Sequence, residues 1–324
     1  MSFYKLEEAI KKTKDPLQAM IFKNYTNKNP FSDVLQFVDA ETLVYQWYVK
    51  QGVAGVGRRE VNGNLHKGTG SKGKVEITQL EIYNEVRNVD RVIEKTQGNA
   101  IGNGILYDEV EDITESIAFI QAKDLLHASI ANGYKYNGLI STAIEAGKNF
   151  FVNDGAGVGT IDEKNVWDNL TLLQDEILGD NGSKAFIVKQ RTFNKLQKLL
   201  ALSGMEMKVA TDNFGRPYGQ FNGSIIIPVG SYVISKQEQE ENEVVDLLPQ
   251  INIEGDMTDR IVCATFGRNY IHGVRNRNYP STLIKTADQI GPNEHPIVDF
   301  EDVMAIVDKT KGKAVSILEG VVIQ

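Results

Sequence analysis

The stretch GVAGVGRREVNGNLHKGTGSKGK, Gly52 to Lys74, limits the possible folds of this chain more than any other. Seven of its 23 residues are glycine, five are Arg or Lys, and one is acidic. Glycine brings no side chain to a core and loses the most conformational freedom on ordering, so the segment cannot hold a shape through its own contacts. Its flanks have the opposite character. ETLVYQWYVK (Glu41–Lys50) and KVEITQLEIYNEVRNVDRVI (Lys74–Ile93) are rich in β-branched and aromatic residues with partial alternation, the pattern of strands. Together they predict a long antiparallel hairpin over residues 44–94, tipped by the basic glycine-rich stretch. A connection of that length is functional or disordered.

The first 43 residues are poorly equipped to fold alone. MSFYKLEEAIKKTKDP reads as a short amphipathic helix with Phe3, Leu6 and Ile10 at helical spacing, stopped before Pro16. Beyond it, Leu17, Met20, Ile21, Phe22, Phe31, Val34, Leu35 and Phe37 are scattered around the turn-like KNYTNKNPF. Each large apolar side chain left in water forfeits roughly 1.5–3 kcal/mol. The arm must therefore lay them on something else, within the subunit or on a neighbour.

GILYDEVEDITESIAFIQAKDLLHASIANG carries the strongest helical signal, with Leu106, Val110, Ile113, Ile117 and Ile120 at three- and four-residue steps. It predicts one helix over residues 104–132, stopped at Asn132-Gly133. A second helix is predicted from Glu163 to Leu178 behind a Thr160/Asp162 cap. KAFIVKQ reads as a buried strand and RTFNKLQKLLALSG as a helix stopped by Gly204. GSIIIPVGSYVIS reads as a strand pair broken at Pro228–Gly230, KQEQEENEVVD as a polar loop, RIVCATFG as an apolar strand, and the tail as two strands around a Lys-Gly-Lys turn. The whole is α+β, without regular βαβ alternation.

The chemistry of catalysis is mostly missing. GAGVGT (Gly155–Thr160) follows an apolar run and precedes a helix, but its spacing is G-x-G-x-G rather than that of a dinucleotide fingerprint, and its default reading is a surface loop. His66, His127, His272 and His295 are far apart and lack metal-ligand spacing. Cys263 falls in an apolar strand and reads as a small buried hydrophobe; as the single cysteine it excludes an internal disulfide. No catalytic, cofactor or metal residues are assigned. A net charge of −8 argues against a protein whose main task is gripping nucleic acid, and no run of 18 apolar residues exists to propose a membrane span.

The order of pieces, with ANGYKYNGLIS (131–141), KAFIVKQRTFNKLQKL (184–199), FGRPYGQFNGSIIIPVG (214–230), IVCATFGRNYIHGV (261–274) and KGKAVSILEGV (311–321), resembles the major capsid proteins of tailed bacteriophages, the Hong Kong 97-type fold. The resemblance implies an N-terminal arm (1–43), an extended hairpin or E-loop (44–94), a peripheral domain (95–165 and 255–324) with spine helix 104–132, and an axial domain (166–254). It implies a non-enzymatic shell subunit that assembles with itself into hexamers and pentamers around genome DNA, in the virion, after synthesis in the host cytoplasm. The expected contacts with neighbouring copies are Arg58, Arg59, Lys67, Lys72 and Lys74 at the hairpin tip and Phe22, Phe31, Leu35 and Phe37 in the arm. Because the arm begins at Met1, a separate scaffolding protein is expected, with a portal. The alternatives are an encapsulin-like nanocompartment shell of the same fold and a nucleotide-binding enzyme using Gly155–Thr160.

Overall fold

The computed structural model describes residues 3–4, 25, 28–50, 61, 72–97, 105–152, 157–205, 207–211, 216–234, 243–286, 288–291 and 294–323. The chain opens with β1 (Phe3–Tyr4), β2 (Phe37–Ala40), β3 (Val44–Lys50), β4 (Lys72–Gln79) and β5 (Glu81–Asn88). β3 and β4 pair antiparallel with Val44 opposite Gln79 and Tyr48 opposite Val75, so the hairpin forms where the strand-like residues lie. It is shorter than the expected 44–94. Leu80 is buried and its amide donates to the Leu43 carbonyl at 2.9 Å. Past that anchor the chain changes sheet, β5 pairing elsewhere and leading into α1 (Arg91–Gln97).

The long helix α2 spans Ile105–His127 and buries Leu106, Val110, Ile113 and Ile117, while Ile120, expected in the same stripe, is 42% exposed. It stops short of residue 132 because the chain folds back on its end. The Gly138 amide donates to the Ala128 carbonyl at 2.7 Å, and a Cβ at Gly138 would sit 2.7 Å from the Asp124 carbonyl oxygen. Ile130–Asn132 then forms a separate 3-10 turn ended by Gly133 at φ 92°.

There follow α3 (Leu139–Glu145), β6 (Asn149–Phe151), β7 (Gly159–Ile161), α4 (Val166–Asp175), β8 (Lys184–Lys189), α5 (Gln190–Leu202), β9 (Lys208–Thr211), β10 (Pro217–Phe221) and β11 (Ser224–Val229). α4 begins three residues later than expected because the Asp162 carboxylate accepts the amides of Lys164 and Asn165, capping the preceding turn instead. The chain continues through β12 (Ser231–Ile234), β13 (Glu243–Asp246), β14 (Ile251–Ile253), β15 (Asp256–Thr265), β16 (Ile271–Asn276), β17 (Ser281–Lys285), β18 (Ile297–Asp308) and β19 (Val315–Ile323).

Two large sheets carry the fold. One is six-stranded, β1-β2-β16-β18-β17 with β5 also on β18; the other is nine-stranded, β6-β19-β15-β8-β11-β10-β9 with β14 and β7 at its margins. The larger sheet is buried on both faces. Phe186, Val188, Ile261, Cys263 and Leu318 face a core with α4 and α5, while Ala185, Ile187, Val262, Ala264 and Ile317 face the core that includes α2. Period-2 alternation with apolar residues on both sides explains why KAFIVKQ reads as a continuous apolar run. The tail forms its two strands around Lys311 (φ 53°) and Gly312 (φ 82°), yet they do not pair with each other: β18 enters the first sheet and β19 the second. Residues 255–324, expected as one block with 95–165, thus contribute to both sheets.

Candidate assembly interface

In an antiparallel ladder, residues directly opposite share a face. On the hairpin, Tyr45 and Trp47 with Thr78 and Glu76 form the inner face. Tyr45 is buried edge-on to His272 at 6.3 Å, Trp47 Nε1 donates to Thr78 Oγ1 at 2.9 Å, and Lys311 Nζ donates to Glu76 at 2.6 Å. That bond holds the Glu76 carboxyl below the usual carboxylate range. The outer face carries Val44, Tyr48, Val75 and Ile77, exposed at 42, 49, 45 and 61%. On β5, in the six-stranded sheet, Ile82 and Val86 are each about half exposed, while Tyr83 is buried. Runs of large apolar groups on one open face mark an interaction surface rather than scattered exposure.

The expected tip contacts divide. Lys74 is exposed on β4, and Lys72 stands opposite Lys50 in the strand register. Arg58, Arg59 and Lys67 lie outside the described residues, as does Phe22 of the arm.

The remaining arm contacts are corrected. Phe31, Leu35 and Phe37, expected against a neighbour, are at most 1% exposed within the subunit itself. β2 runs parallel to β16, and the ring of Phe37 lies where a Cβ on Gly273 would be, 2.6 Å away. Arg275 on β16 stacks its guanidinium over Tyr25 at 4.7 Å and Phe37 at 4.9 Å, and pairs with Asp302 on β18 at 2.7 Å. Gln121 of α2 donates to the same carboxylate at 2.9 Å, and burial pushes the Tyr25 hydroxyl up to about 12. Arg216 donates to the Asn29 carbonyl and, at 3.2 Å, to Ser32 Oγ. Tyr25 and the arm from residue 28 onward are thus wired into their own body. The sequence signal for this clamp was a lone Arg inside the apolar strand IHGVRN.

Nothing in the described part of Gly155–Thr160 forms a nucleotide cradle. Gly159–Ile161 is a strand paired with β19 rather than a loop, and a Cβ on Gly159 would meet Val152 at 2.4 Å. Across the pair, a Cβ on Gly320 would meet the Gly157 carbonyl oxygen at 2.2 Å, so these glycines serve close packing. Cys263 is fully buried and its thiol pKa is pushed up by burial, which suits a core residue and not a nucleophile. His127 donates Nε2 to the Leu247 carbonyl at 2.8 Å and burial lowers its pKa. Among the described residues no cluster of three or more potential metal ligands exists, and no helix is long and apolar enough to cross a membrane.

No family model and no curated protein matches the sequence. Solved structures do match. The holo-SrpI encapsulin complex from Synechococcus elongatus PCC 7942 aligns at TM-score 0.57 and 14% identity, over 89% of this chain and 86% of that one. The capsid of an empty GTA particle aligns at 0.53 and 12%, over 91% and 90%. The satellite phage P4 procapsid aligns at 0.54 and 8%, over 98% and 96%. This chain has the Hong Kong 97-type fold. At these identities the likeness speaks for architecture, and it covers nearly the whole of each partner structure.

Proposed function

We propose that the chain is a structural subunit of an icosahedral tailed-phage capsid, assembling with itself into hexamers and pentamers in the virion and having no catalytic activity. The observation that carries this reading is the open apolar face of the hairpin, Val44, Tyr48, Val75 and Ile77, with Ile82 and Val86 also exposed on β5. A lone subunit leaves these groups in water, and a neighbouring copy covers them. The basic tip residues Arg58, Arg59, Lys67, Lys72 and Lys74 meet acidic groups on the adjoining copy, and glycine lets the tip adapt to positions that are not identical. Interfaces of obligate size, about 2,000 Å² or more, hold the shell. Residues 166–254 form the axial domain and 95–165 with 255–324 the peripheral domain. A separate scaffolding protein and a portal assist assembly, and DNA is enclosed without sequence-specific contact.

Negative-stain electron microscopy of the expressed chain, with and without a candidate scaffold, tests the proposal. Closed particles are expected; a protein that remains monomeric at every concentration in both conditions would overturn it. The encapsulin match favours a second reading, a nanocompartment shell. The content of purified native particles separates the two: nucleic acid and a portal for a capsid, a protein cargo for a compartment.

A further inference from the structure

The two faces of the β3–β4 hairpin are held differently. The inner face is pinned to the subunit's own body, Tyr45 against His272 and Glu76 by Lys311. A face whose reverse side is held in this way is covered only from outside the subunit. The strand register also gives the outer face a polarity. Val44, Ile77, Tyr48 and Val75 lie along it, and Lys50 stands opposite Lys72 at its far end. Apolar for most of its length and basic at one end, it fits a surface that is apolar with an acidic margin.

The body of the chain carries such a surface. A groove of about 670 Å³ runs between α2, β5 and β12, and no residue of β3 or β4 lines it. Phe119 and Tyr232 pack ring to ring at 4.2 Å within it, beside Ile120 and Val233, which are 42% and 62% exposed. Val244 stands directly across the β12–β13 ribbon from Val233 and is 67% exposed, so the apolar strip runs on past the groove. The margin is acidic, with Asp112 and Glu115 on α2 and Glu85 on β5. Arg87 bridges Glu85, Glu109 and Asp112, and Lys28 bridges Glu115, which sets four carboxylates against two cations among these side chains. We propose that the outer face of one subunit's hairpin lies in this groove of a second copy. Tyr48 and Ile77 then meet Ile120 and Val233, and the Lys50–Lys72 end meets the acidic margin. This contact presupposes the shell reading and names the surface that covers the hairpin. Because the two patches differ, each copy gives a hairpin to one neighbour and receives one from another. Such a contact does not stop at a dimer: it closes into a ring where the rotation allows, and otherwise runs on as an open chain.

Photo-crosslinking of the full chain tests this, with Tyr48 replaced by p-benzoylphenylalanine and particles assembled from mixed heavy- and light-isotope protein. Irradiation is expected to join position 48 of one chain to 112–120 or 231–234 of another. Particles whose adducts fall elsewhere or only within one chain, or that give none, overturn the proposal and leave the shell reading standing. Failure of the parent chain to form particles under any condition removes both. Charge reversal gives an independent readout. Asp112→Lys/Glu115→Lys should raise the concentration needed for assembly about tenfold or more, because like charges then face each other. Adding Lys50→Glu/Lys72→Glu to that variant should bring the concentration back toward the parent's. Assembly of the first variant at the parent's concentration, or no recovery in the second, also overturns the proposal.

Discussion

Arg275 pairs with Asp302 at 2.7 Å with each side chain 1% exposed, and the same guanidinium is the platform on which Tyr25 and Phe37 of the arm rest. A buried pair of this kind contributes little against an apolar substitute of the same shape, but removing one member strands a charge in a dry site. Arg275→Met is therefore expected to destabilise by about 3–5 kcal/mol. The double variant Arg275→Met/Asp302→Leu should recover a large part of that loss. Denaturant midpoints for the three proteins check the ordering; equal losses for single and double variants would show that the ion pair is not what holds this site.

Asp124 gives the fold a pH dependence. Its carboxylate sits near the C-terminal end of α2, accepts the Tyr83 hydroxyl at 3.1 Å, and is pushed up to about 6, chiefly by burial. A carboxyl raised above its unfolded value binds protons more tightly in the fold, so its stabilising contribution is complete below about pH 4 and is lost as pH rises through 6. Asp124→Asn keeps the acceptor and removes the titration. The stability difference between variant and parent should change between pH 4 and 7 by on the order of 2 kcal/mol, in the variant's favour at the higher pH. Urea unfolding at several pH values measures it, and a flat difference would refute it.

Gly273 has Phe37 where its Cβ would be. Gly273→Ala must push the ring off β16, and overpacking of this sort costs about 1–3 kcal/mol. The thermal midpoint should fall by several degrees, and proteolysis near residue 37 should accelerate together with it. A variant as stable and as resistant as the parent would show that the arm does not lean on this strand.

Ile77→Lys, and separately Val86→Lys, place a charge on the outer face of the hairpin region, where both parent side chains are at least half exposed. Each is expected to leave the unfolding midpoint of the subunit within about 0.5 kcal/mol of the parent. Particle yield, followed by sedimentation and microscopy, should collapse. Shells that form normally from both variants would remove this face from the assembly surface.

Much of the architecture was legible because it rests on local chemistry. Alternating β-branched residues marked β3 and β4, three- and four-residue spacing marked α2, and Gly204 and the Lys311-Gly312 turn stand where helix and strand stop. Partnership was harder to read. The chain 74–93 reads as a single arm of the hairpin, and only the long-range burial of Leu80 splits it between two sheets. Phe31, Leu35 and Phe37 were legible as apolar groups in need of cover, but nothing local says whether the cover is β16 or another subunit. Arg275 and Asp302 lie 27 residues apart, and no spacing rule announces that they meet.

β18 hydrogen-bonds to β5, β16 and β17, and β19 lies between β15 and the short strands β6 and β7. Synthesis proceeds from the N-terminus at roughly 5–20 residues per second. Neither core can therefore close on a nascent chain until residues 297–323 have cleared the ribosome. A product cut short before β18 lacks a strand of each large sheet, and truncation there leaves both cores open at once.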